Sequence, residues 1–136
     1  MQKIAMLFAV LISLAGSAGA SHAQKDDGFS RFFADFQAAV KAGDKEKVAS
    51  MTSFDDFYWE SNDALRQVKT REDFLKNYDK MFTPAIKAKI AASTPKKNGQ
   101  GDYFIIWHTK SLEYGLNFDR EKDGSYKFHG HTMGPY

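Results

Sequence analysis

Cysteine is absent from this 136-residue chain, so no disulfide, thiolate nucleophile or thiolate metal ligand can take part in its fold or its chemistry. Exported eukaryotic domains of this size commonly rely on disulfides, and an exported domain without them suits a bacterial periplasm better. Proline is scarce, with three in the chain, and there is no low-complexity linker and no internal repeat. An excess of one charge is also lacking. The balance of 19 basic against 17 acidic side chains gives a net +2, which offers no electrostatic footprint for nucleic acid or an anionic membrane surface. The longest apolar run, from Ile4 to Leu14, contains Ser13 and meets glycines before the roughly 20 apolar residues that a transmembrane helix requires.

That run has a different meaning. It follows the positive charge of Lys3 and precedes a stretch of small residues from Ala15 to Ala23, the three-part pattern of a secretory signal peptide. Small side chains at Ser21 and Ala23 predict cleavage before Gln24, and Ala18 and Ala20 offer an earlier cut. The later cut is preferred because the polar mature region opens at Gln24-Lys25-Asp26-Asp27. No cysteine follows the apolar run, which excludes lipid attachment by the bacterial lipoprotein route. Residues 1–23 are thus read as a signal peptide and 24–136 as one domain, periplasmic or secreted, with no membrane anchor after cleavage. The remaining 113 residues carry 18 basic and 17 acidic side chains, enough chain for one modest core.

Aromatic residues are abundant, at 15 %. Phe29, Phe32, Phe33, Phe36 and Val40 recur at helical spacing among alanines, which predicts an amphipathic helix over 29–42. Gly43 stops it and Asp44 caps a second, short helix bearing Val48 and Met51. Residues 54–59, with Phe54, Phe57, Tyr58 and Trp59, are extended in character and read as a strand; 60–69 is polar and ambiguous. Thr70-Arg71-Glu72-Asp73 is close to a capping box. Behind it Phe74, Leu75, Tyr78, Met81 and Phe82 form an apolar stripe. Thr83-Pro84 can open a further helix, although Ile86, Ala88 and Ile90 also alternate as in a strand, so 84–92 stays open between the two, leaning to helix at its start.

Thr94 to Gly101 reads as a loop with Lys96-Lys97 as a solvated tip. The nearly all-apolar run Tyr103 to Trp107 follows and suggests a central strand covered on both faces. Leu112, Tyr114, Leu116 and Phe118 then alternate with polar residues, and Tyr126 and Phe128 lie on a third strand. A two-residue turn at Asp123-Gly124 would mix the faces of this hairpin. A three-residue loop with Gly124 left-handed instead pairs Phe118 with Phe128 and puts the apolar sets on one face. Continued without interruption, that register sets Asn117 opposite His129 and Gly115 opposite His131, with both histidines facing away from the helices.

The helix ending in Ala42-Gly43-Asp44, the Thr70-Arg71-Glu72-Asp73-Phe74-Leu75 helix opening and the 119–128 hairpin together resemble the NTF2-like superfamily, also called SnoaL-like or cystatin-like, and within it small exported bacterial proteins. The resemblance implies an α+β cone, with N-terminal helices packed on a curved, mainly antiparallel C-terminal sheet and a mouth that holds ligands or active sites. The pocket Asp-His pair of catalytic members has no match in this sequence.

Tyr58, Trp59, Tyr78, Trp107 and Tyr114 combine apolar bodies with polar tips, the chemistry of a pocket for a small amphipathic ligand; equally, they can fill an aromatic core. His129-Gly130-His131, with Glu113 or Asp119 as a third group, has the spacing of some metal sites, but a lone pair at this spacing is better read as two solvated histidines. No metal and no cofactor is expected. His108 reads as a core histidine bonded to the main chain. Asp55-Asp56 and Glu72-Asp73 are neighbours in sequence and so point apart. They read as surface or cap residues. No phosphate loop, HExxH or Ser-His-Asp order is present. The expectation is an exported ligand-binding or interaction module of the bacterial cell envelope, recognising a small amphipathic ligand or an envelope protein. The alternative is a small SnoaL-like isomerase or hydrolase with a pocket His or Asp as general base, and a third reading is an inhibitor that docks through an exposed sheet face.

Overall fold

The computed structural model describes residues 27–135, so the predicted signal peptide and its cleavage site lie outside the described residues. Four helices, α1 (Phe29–Ala42), α2 (Lys45–Ser50), α3 (Arg71–Met81) and α4 (Pro84–Ala92), accompany six strands: β1 (Tyr58–Glu60), β2 (Leu65–Gln67), β3 (Lys96–Lys97), β4 (Tyr103–His108), β5 (Leu112–Arg120) and β6 (Tyr126–Pro135). The strands form one sheet in the order β2-β1-β6-β5-β4-β3. Every pairing is antiparallel except that of β1 with β6.

Local chemistry sets the helix boundaries. The Asp44 N–H donates to the Ala39 carbonyl and the Gly43 N–H to that of Val40. This is the paired closure that needs a left-handed residue at Gly43, whose φ is 67°. The Asp44 carboxylate then accepts from the Lys47 N–H and starts α2. Thr70 and Thr83 cap α3 and α4 by accepting from the N–H groups of Asp73 and Ile86. The open segment 84–92 is therefore helix, with Ile90 turned into the core.

The core lies between α1, α3 and one face of the sheet. Phe36 packs on Phe118 and Phe128 at ring separations of 5.2 and 5.1 Å, and Phe128 also meets Phe57 and Phe82. Aromatic side chains thus fill the middle of the cone. Fully burying rings of this size contributes roughly 1.5–3 kcal/mol each.

The strands differ from expectation in four places. β1 starts at Tyr58 rather than 54, because Asp56 adopts a left-handed backbone (φ 55°) and turns the chain after Phe54. The ambiguous 60–69 segment contains β2, which returns along β1 through Asn62 and Asp63, both at positive φ as a tight hairpin turn demands. β4 is not covered on both faces: Ile105 is buried, but Ile106 is 44 % exposed, since the helices cover one side only. Finally, Lys96-Lys97 is not a loop tip but the edge strand β3.

The β5–β6 hairpin starts as the sequence implies. Phe118 pairs with Phe128 and Asp119 with Lys127. The Gly124 N–H donates to the Glu121 carbonyl with Gly124 at φ 86°. The register then shifts at Asn117/Phe118, so Asn117 pairs with Gly130, and Leu116 with His131. His129 is the extra residue of a β-bulge.

Candidate functional site

The bulge is where the candidate site is built. Gly130 sits at φ 97°, and a Cβ there would lie 2.3 Å from the Tyr58 carbonyl oxygen, so the parallel approach of β1 requires glycine. The extra residue moves the two histidines onto different faces. His131 was expected to look away from the helices. Instead it shares the inner face with Leu116, is 5 % exposed, and packs near Phe128. Its Nδ1 accepts a 3.0 Å hydrogen bond from the Glu60 N–H. That bond places the ring proton of the neutral form on Nε2, and burial lowers the pKa to about 4.

His129 stays on the outer side. Its Nε2 lies 2.9 Å from a Glu121 oxygen and its Nδ1 3.5 Å from one of Asp119, so both ring nitrogens face carboxylates. Partial burial raises the pKa of Asp119; His129 opposes the shift, while Asp102 and Glu121 add to it. The cross-strand partner Lys127 forms no ion pair with Asp119; its Nζ donates to the Ser50 carbonyl. Around these groups runs a groove of about 450 Å³ along the β1–β6 seam. Asp55, Asp56, Tyr58 and Leu65 form one wall, and Asn117, Asp119, His129, His131, Thr132 and Met133 the other. Tyr58 and Leu65 are among the most exposed large hydrophobic side chains, at 36 % and 39 %. Among the described residues no lysine or arginine forms an ion pair with Asp55, Asp56 or Asp119.

The five aromatic residues singled out in the sequence do not form one cluster. Tyr58 lines the seam groove. Trp59 points to the other side of β1, is 6 % exposed, and lines a separate groove under α3. Tyr78 is wholly buried beside Phe74 and Phe82; its hydroxyl has no hydrogen-bond partner, and burial, reinforced by Asp79 and Asp44, pushes its pKa up to about 12. Trp107 and Tyr114 do come together, with rings stacked at 5.8 Å; Lys89 lies over Trp107, and the Tyr114 hydroxyl donates to Asp63. That contact ties the β1–β2 turn to β5.

His108 is not a core residue. It is exposed on β4 opposite Glu113, with Nε2 3.0 Å from the Glu113 carboxylate. Glu113 therefore sits apart from the His129 cluster, while Asp119 joins it. Among the described residues no three His, Asp or Glu side chains are arranged to hold a metal ion. Asp55, Asp56 and Asn117 were missed as groove residues. The available signal was Gly130 itself, since an isolated glycine within a strand pattern marks a bulge or a close backbone approach.

The chain matches no protein-family model and no curated protein. Among solved structures it is similar to an NTF2-like protein of unknown function from Shewanella oneidensis MR-1, at 12 % identity and a TM-score of 0.50, over 79 % of this chain and 96 % of that one. It is also similar to a protein from Shewanella frigidimarina NCIMB 400 described as a "putative ketosteroid isomerase", at 15 % identity and a TM-score of 0.47, over 80 % of this chain and 96 % of that one. The fold is thus NTF2-like, an α+β cone of helices on a curved, mostly antiparallel six-stranded sheet.

Proposed function

We propose that the chain is an exported, non-catalytic ligand-binding module of the bacterial cell envelope, and that the β1–β6 seam groove receives its small amphipathic ligand. One observation carries this reading: the groove offers recognition groups without a free imidazole base. Both nitrogens of His129 face carboxylates, and the Nδ1 of His131 is occupied by the Glu60 N–H. Tyr58 and Leu65 supply apolar contact, while Asn117, Thr132 and the carboxylates orient the polar end. Native mass spectrometry of protein purified from its own periplasm tests this. A co-purifying small molecule that disappears in Tyr58→Ala and Asp119→Asn is the expected result; its retention in both variants would place binding elsewhere. N-terminal sequencing of the same material should start at Gln24, and an intact Met1 would refute export by a cleaved leader.

A second reading has one observation in its favour. Asp119 is half-buried, its pKa is raised, and it opens to the same groove, as suits a general base. An enzyme would release a chemically altered ligand on incubation, and Asp119→Asn would then abolish the conversion while retaining the bound compound.

A further inference from the structure

A second groove, of about 570 Å³, lies between the β1–β2 hairpin and α3. Arg66 and Gln67 of β2 line one wall, Asp73, Asn77 and Lys80 of α3 the other, and Trp59 belongs to the same lining. Neither Arg66 nor Lys80 forms an ion pair with any described residue, although both belong to this one concavity. Trp59 is a buried residue whose indole N–H donates to no group among the described residues. The Tyr78 hydroxyl, and not this N–H, is the buried unpartnered side-chain group among the described residues, so the Trp59 N–H reaches solvent and is open to an acceptor from outside. The groove therefore presents a guanidinium, an ammonium and an indole donor.

We propose that this groove is a binding site for a small organic anion, with a carboxylate or phosphate group held between Arg66 and Lys80 and hydrogen-bonded by the Trp59 indole; Arg66 and Trp59 are cross-strand partners and so share this face of the hairpin. A guanidinium fork and an oxyanion match geometrically, and charge-assisted hydrogen bonds are about twice as strong as neutral ones. The amide of Asn77 is already turned to its own helix, donating to the Asp73 carbonyl. Asp73 is the opposing charge on the wall and weakens any anion beside it. The site is separate from the seam groove and does not depend on the function proposed for it.

The chain has two tryptophans, so its spectrum holds two indole N–H signals, and Trp107→Phe identifies the one from Trp59. Inorganic phosphate and citrate are titrated separately into the wild-type protein by NMR, with sodium chloride holding ionic strength constant. The expected result is a saturable shift of the Trp59 signal, with the Trp107 signal unmoved. Arg66→Gln and Lys80→Gln should each weaken binding by about tenfold, the scale of one charge-assisted hydrogen bond, and Asp73→Asn should tighten it. Saturation by either anion upholds the site and identifies its oxyanion. No saturable shift with either anion, the same shift with chloride alone, or unchanged affinity in both Arg66→Gln and Lys80→Gln would overturn it.

Discussion

Replacing Gly130 with alanine tests the seam on which the principal groove depends. The added Cβ would stand 2.3 Å from the Tyr58 carbonyl oxygen, 3.1 Å from the Tyr58 nitrogen and 3.2 Å from the Phe57 ring. Two of these three neighbours are backbone and cannot rotate away. The φ of 97° adds a conformational penalty of about 1 kcal/mol for a residue with a Cβ. Forcing β1 off β6 adds about 1–3 kcal/mol, the usual cost of overpacking. The sum is about 2–4 kcal/mol, which lowers the melting temperature of a domain of this size by roughly 10 °C or more. Gly134 on the same strand supplies the control, since nothing lies within 4 Å of its Cβ position; alanine there should stay within about 0.5 kcal/mol of wild type. Urea unfolding of the two variants beside wild type measures both. A Gly130→Ala protein as stable as Gly134→Ala would mean that β1 does not pass close over the bulge, and the seam groove would lose its wall.

The depressed pKa of His131 makes stability depend on pH. Between its ordinary value near 6.5 and the folded value of about 4, the unfolded chain binds the proton and the folded one does not, so stability falls as pH is lowered through that window. The loss reaches up to about 3 kcal/mol, and His131→Gln should flatten the slope of urea midpoints between pH 7 and 4.5; an unchanged slope would remove His131 as its source. Tyr78→Phe should leave stability unchanged or raise it by about 1 kcal/mol, because it deletes a buried hydroxyl that has no partner. A clear loss in thermal unfolding would show that the hydroxyl is bonded after all.

Legibility tracked the range of the interactions involved. The stop at Gly43, the caps at Asp44, Thr70 and Thr83, and the Phe118–Phe128 register depend on residues near in sequence or on the pleat of one hairpin, and each is visible there. The face of His131 was not. It depends on β1, which is 71 positions away at the Glu60–His131 contact, and a one-residue shift in a strand reverses every side chain beyond it. The same distance explains the aromatic residues. Tyr58 and Trp59 are adjacent in sequence and so line different grooves on opposite sides of β1, whereas Trp107 and Tyr114 meet because their strands are paired. Asp55 and Asp56 gain a site only because the turn before β1 delivers them to the seam.

The outermost strands of the sheet, β2 and β3, are three and two residues long. The long strands β4, β5 and β6 would otherwise end in a row of unpaired backbone groups, a template onto which another chain can add. On the β3 side that border is two lysines, and the Nζ of Lys97 is bonded to Asp27, just ahead of α1. A brief, positively charged margin is one of the devices by which a sheet edge discourages pairing with another chain. Exchanging Lys96 and Lys97 for valine would lengthen no strand, yet it would turn that margin into an adhesive edge.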